Sequence, residues 1–193
     1  MGVPICLFAY GTEGLGVSAS ITSIIILFHF TVGVFLADRK FNLNVILKNP
    51  PFYAIIFSAL VLYNDITLPT VVINTTEWLM FATIFLILMS LGIALIRLKV
   101  FSFYKAITAS LTRMILGPII GLLLIYYFDL DGFAAGVLLI QCSMPSAVLN
   151  YLVASIYSPK KIIDSVASTI VVSTLMSFIT IPIVVFFALK YFN

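Results

Sequence analysis

Charge is what this chain has least of. Only 9% of its 193 residues are charged, 10 Lys or Arg and 7 Asp or Glu. A soluble domain carries about 25%. Too few polar side chains remain to cover a water-facing surface, which excludes an ordinary soluble enzyme, a nucleic-acid-binding domain and a disordered tail. There is one histidine, His29, and no Asp or Glu inside the long apolar stretches. An intramembrane enzyme would need Ser–His, paired Asp or His/Glu metal ligands, so catalysis, a metal site and a bound cofactor are not expected. The two cysteines, Cys6 and Cys142, sit inside apolar segments and read as small membrane-embedded residues, not a disulfide framework or metal pair. Met1–Tyr10 lacks a basic residue, so it is no secretory signal. Position six is Cys6, which does not fit N-myristoylation. No G-x-x-x-x-G-K-[ST] run offers a nucleotide site. No window alternates with period two, so a β-barrel is not expected.

Apolar residues make up 63% of the chain, and its mean hydropathy is +1.24. Roughly 20 such residues span a bilayer as a helix. Gly16–Ala37, Trp78–Ile96, Lys105–Phe128, Phe133–Tyr157 and Ser165–Leu189 qualify, and Pro51–Asn64 is short at about 14 residues. Ahead of them, about nine apolar residues run into Gly11-Thr12-Glu13-Gly14 and reach only ~14 Å, half a bilayer core. The expectation is an all-α membrane protein of six spans plus a leading half-helix. A half-helix starting at mid-membrane would leave backbone groups unpaired in lipid, so the chain reads as part of a longer carrier.

Loop charges alternate. Arg39, Lys40 and Lys48 follow the first span, Asp65 and Glu77 the second, Arg97, Lys99 and Lys105 the third, Asp129 and Asp131 the fourth, Lys160 and Lys161 the fifth. Basic loops face the cytoplasm, which places Gly11–Gly14 and the C-terminus outside an inner or plasma membrane. Tyr10, Tyr63, Trp78, Tyr126, Tyr127 and Tyr191 fall near the outer interface, and Asn74-Thr75-Thr76 forms a glycosylation sequon on that side.

One span is interrupted. Gln141-Cys142-Ser143-Met144-Pro145-Ser146 breaks a Leu/Val/Ile pattern near the middle of 133–157. Pro145 cannot donate an N–H, and the carbonyls it frees need partners. Pro4 precedes Tyr10 as Pro145 precedes Tyr151, and loop charges make the two half-helices run oppositely. That is the pattern of an inverted-repeat secondary transporter with its site where broken helices cross.

Met144-Pro145 with Asn150-Tyr151, Ser173-Thr174-Leu175-Met176-Ser177 before Pro182, and Gly2-Val3-Pro4 with Tyr10-Gly11 resemble motifs of the auxin efflux carrier family. Asn49-Pro50, Pro69, Leu88–Gly92 and Arg113 with Pro118 fit its intervening helices. The family includes bacterial malate- and dicarboxylate-type carriers and has ten spans; this chain matches from the middle of the fourth onward. The resemblance implies alternating-access transport of small organic anions, carboxylates above all. Residues 1–37 would be the remnant of the first repeat, 51–97 a scaffold-type helix pair and 105–190 transport-type helices. Two alternatives stand beside it, a non-transporting membrane subunit or fragment and a sodium-coupled bile-acid-type carrier. Implied partners are the anion, the lipid bilayer and, as an open option, further copies of the chain.

The resemblance places a substrate-contacting Asn at Asn150, which otherwise would bond a neighbouring helix. Pro145 and Pro4 break their helices. Gln141, Ser143 and Ser146 either line a cavity or cap freed backbone groups. Arg113 would balance an anion, snorkel or pair with freed carbonyls. His29 would carry a coupled proton or simply pack. The orientation has a direct test. Single cysteines at Thr12 and Thr70 should react with an impermeant reagent from outside, and those at Lys99 and Lys160 should not. Outside labelling at Lys160 would overturn the loop-charge assignment.

Overall fold

A computed structural model describes residues 1–38, 50–97 and 100–192. Arg39, Lys40, Lys48, Asn49, Lys99 and Asn193 lie outside the described residues. The helices are α1 (Gly2–Phe28), a π turn (His29–Gly33), α2 (Val34–Asp38), α3 (Pro50–Tyr63) and α4 (Thr70–Arg97). They continue as α5 (Phe103–Tyr127), α6 (Gly132–Cys142), α7 (Val148–Tyr157) and α8 (Lys160–Tyr191). No strand occurs among the described residues.

Four stretches are long and apolar enough to cross a membrane: Gly2–Leu36, Thr70–Ser90, Phe103–Tyr127 and Lys160–Tyr191. The short second span is a helix of 14 residues. The span expected over 133–157 is divided into α6 and α7. Other bounds differ from the sequence reading. Thr12–Leu15 are helical, because the chain direction changes at Gly11 alone, with φ 65° and ψ −152°. That conformation is open to glycine and costly for other residues. Past Gly11 the chain doubles back, so that Gly14 lies against Tyr10 and the Cys6 carbonyl. Helix α4 starts at Thr70, and its sequon lies inside regular helix, with the Thr75 and Thr76 hydroxyls bonded to the carbonyls of Val71 and Val72. The connection 129–131 is a tight turn, with Asp129 at φ 50°.

One apolar core joins the first half of α1, α6 and the ends of α5 and α8: Cys6, Ile125, Ala135, Val137, Leu139, Ile140, Met144 and Ala188. Residues 2–10 lie antiparallel to α6, with Gly2 against the Gln141 side chain and the Tyr10 hydroxyl against Gly136. Helix α8 packs on α5, α6 and α7. No residue of the Thr70–Ser90 stretch is buried. Exposed Trp78, Phe81, Phe85 and Leu86 give α4 a surface that hydrocarbon solvates better than water. Ser and Thr hydroxyls along the helices return to their own backbone, as Ser20 to Gly16, Thr83 to Leu79 and Thr112 to Thr108. This satisfies them without water.

Helix α5 meets the end of α6 without side chains in between. A Cβ on Gly117 would overlap the Cys142 carbonyl oxygen, and one on Gly121 would stand 3.1 Å from Cys142 Cβ. The two glycines are four apart and let the backbones touch, as small residues do between membrane helices. Gly117→Ala should therefore force α5 and α6 apart and cost about 1–3 kcal/mol. The measurement is the melting temperature of detergent-solubilised protein. An unchanged value would mean that the helices do not meet at this point.

Candidate functional site

The break between α6 and α7 is built residue by residue around Pro145. Helix α6 closes on Ser143, whose N–H reaches the carbonyls of Leu139 and Ile140, both at 3.1 Å. Met144 N bonds Gln141 O at 3.3 Å. Residues 144–147 then leave the helix, and Ala147 is extended at φ −70°, ψ 139°. Pro145 is buried at the centre of this segment.

The segment around the break takes partners from three other helices. Arg113 Nε on α5 donates to the Met144 carbonyl at 3.2 Å. Ser146 N donates to Ser173 Oγ on α8 at 3.2 Å. The Ser143 hydroxyl bonds Leu139 O at 2.7 Å. Gln141 Nε2 reaches Ser18 O and Thr22 Oγ1, each at 3.2 Å, and ties α6 to the second half of α1. Pro4, fully buried, sits in the antiparallel half-helix beside α6. Gln141, Ser143, Pro145, Ser146 and Arg113 thus gather at one place, four of them visibly engaged in holding the break.

Asn150 stands elsewhere. It lies in the first turn of α7, which has no side-chain cap, and its backbone N bonds Ala147 O at 3.0 Å. Its side chain lines a cleft of about 510 Å³ that it shares with His29, Leu36, Val153, Ser158 and Ile162. His29 comes from the π turn and lines the same cleft. Arg113 lines a second cleft, about 590 Å³, with Thr108, Thr112, Gly117 and Cys142. The lining residues of the two clefts do not overlap.

Some contributors escaped the sequence reading. Gly117 and Gly121 carry a legible signal, two glycines four apart in an apolar helix. Nothing local in the sequence marks Ser173 as the acceptor for Ser146. Within the π turn the Thr31 hydroxyl donates to Leu27 O at 2.8 Å and Phe28 O at 3.3 Å.

The sequence is similar to known proteins. The family model described as "Membrane transport protein" matches residues 34–185. The uncharacterized transporter MJ1031 of Methanocaldococcus jannaschii is 28% identical across 95% of this chain. That match covers 62% of the relative, so the chain spans less than two thirds of its length. No solved structure matches the chain.

Arg113 provides the test of the break. Arg113→Leu should leave the Met144 carbonyl without its donor, at a cost of about 1–3 kcal/mol. The expected readout is a lower melting temperature together with faster amide exchange around 143–147. Equal exchange in both proteins would show that the carbonyl does not depend on Arg113.

Proposed function

The chain belongs to the membrane transport protein family, the auxin efflux carrier-like group that its motifs resemble, and from that premise we propose that it carries small organic anions by alternating access. It is a membrane transporter with several apolar helices, and the family's business is transport, not enzymatic conversion. One observation carries the anion reading. Asn150, beside the uncapped start of a half-helix, faces a cleft with an amide that has no partner among the described residues. The first N–H groups of a helix are unpaired and positively polarised. A carboxylate there would meet partial positive charge from α7 and a directional donor from Asn150, the arrangement transporters use at discontinuous helices.

The reading extends to the rest of the chain. Residues 2–10 and the pair α6–α7 are the crossing elements of an inverted repeat, supported by their antiparallel contact. Residues 1–37 and 105–190 form the moving bundle, supported by the core they share. Residues 51–97 belong to the scaffold, supported by the absence of buried residues along Thr70–Ser90. The loop charges support an external C-terminus. Energy comes from an ion gradient or the membrane potential, as the sequence has no nucleotide-binding run.

Asn150→Ala separates binding from packing. Loss of a hydrogen bond to a charged group typically costs about 1.5–3 kcal/mol, roughly ten- to hundred-fold in affinity. Loss of an interhelical bond costs about 0.6 kcal/mol of stability. Affinity for a panel of carboxylates, malate included, should fall by the first amount while the melting temperature barely moves. Unchanged dissociation constants for every transported anion would assign Asn150 to packing.

A further inference from the structure

Lys105 and Lys161 lie far apart in the chain, near the starts of α5 and α8, yet they line one cleft. A latch on α8 brings them together. Ser168, fully buried, accepts the Phe101 N–H at 2.8 Å and the Ser102 N–H at 3.4 Å. Its own hydroxyl donates to Asp164 O at 2.7 Å. Further along α5, the Ser110 hydroxyl reaches Thr169 O at 3.4 Å. The start of α5 is thereby tied to the first turns of α8, and the lysine near the start of each helix faces the same space.

The cleft holds about 440 Å³, and its polar lining is Ser102, Lys105, Lys161, Asp164 and Ser165. Both lysines are exposed, and neither has an ion pair or hydrogen bond among the described residues. With Asp164 the lining carries two positive charges and one negative. Lys160, next to Lys161, adds a further positive charge at this end. Depth decides what fills such a cleft. Helices α5 and α8 are both long and apolar enough to cross a membrane, and the cleft lies where both begin. Phe101, Phe103 and Tyr104 beside it are exposed, as aromatic side chains are at the headgroup level. Basic clefts between spans at the cytoplasmic face suit anionic headgroups, and the loop charges make this the cytoplasmic end.

We propose that this cleft binds an anionic phospholipid, with Lys105 and Lys161 on the headgroup phosphate and the acyl chains against Phe101 and Ile162. Each ammonium acts as a point charge on the phosphate oxygens. Phe101 and Ile162 are exposed and line the same cleft, so charge and apolar surface are offered together, which a soluble anion would not use. Both helices begin without a side-chain cap, and their first N–H groups add to the positive field. A lipid seated here clamps the two helices that hold the break through Arg113 and Ser173. The proposal is independent of which solute the chain carries.

The test is native mass spectrometry of the full chain in detergent, titrated with phosphatidylglycerol and, separately, with phosphatidylcholine. Phosphatidylglycerol should bind roughly fivefold tighter or more, and Lys105→Gln and Lys161→Gln should each weaken it about fivefold, the attraction of one basic side chain to an anionic headgroup. Asp164→Asn should strengthen it. Lys190→Gln, in the last turn of α8, should leave it unchanged. Inorganic phosphate in excess should not displace the lipid. Equal affinity for the two lipids, or phosphatidylglycerol affinity unchanged in both Lys105→Gln and Lys161→Gln, would overturn the proposal. So would a loss in Lys190→Gln as large as in Lys161→Gln, which would mean attraction without a site. Displacement by inorganic phosphate would overturn the lipid in favour of a soluble anion. If one variant does not fold, the wild-type preference and the remaining variants decide.

Discussion

A backbone that leaves its helix inside a membrane must find every hydrogen bond from protein, and the structure is organised around that requirement at Pro145. The proline removes a donor and interrupts the ladder. Its neighbours then need help from three other helices. Arg113 on α5 takes the Met144 carbonyl, Ser173 on α8 takes the Ser146 N–H, and Gln141 anchors the approaching helix to α1. Because the partners come from separate helices, the break fixes how α1, α5, α6 and α8 pack.

Close packing follows from the same need. The Arg113 Nε can stand 3.2 Å from Met144 O only if α5 runs against the end of α6. Gly117 and Gly121 remove the side chains that would hold the helices apart. On α8, Ser173 serves two roles at once, donating to Ile170 O at 3.2 Å within its own helix and accepting from Ser146. A larger or apolar residue at 173 would forfeit the second. Small and hydroxylated residues on these helices are therefore conditions for the broken strand to exist in hydrocarbon, beyond their general use in helix contacts.

Period and hydropathy made the helices legible, because a span must be long, apolar and internally bonded. The break was legible too: a proline amid polar residues in an apolar run has few other outcomes. The helix ends at Thr70 and Lys160 were less so, since loop residues such as Thr75 and Thr76 satisfy themselves on the helix and carry it beyond the apolar window. Arg113 could be read three ways from sequence, and the partner that distinguishes them, Met144 O, lies on another helix. The meeting of His29 with Asn150 was out of reach. It depends on a π turn and on how α7 lies after the break, neither of which has a periodic signature.

The two clefts beside the break differ in what the protein has already used. In the Arg113 cleft, the guanidinium is engaged with a main-chain carbonyl, and the hydroxyls of Thr108 and Thr112 are returned to their own helix. Its two threonine hydroxyls and the guanidinium Nε serve the fold. In the Asn150 cleft, the amide has no partner among the described residues and α7 begins without a side-chain cap. Unused donors at a partly buried position are costly to maintain unless something else satisfies them. Arg113 Nε thus stands where the main chain needs a donor, and Asn150 stands in the other cleft.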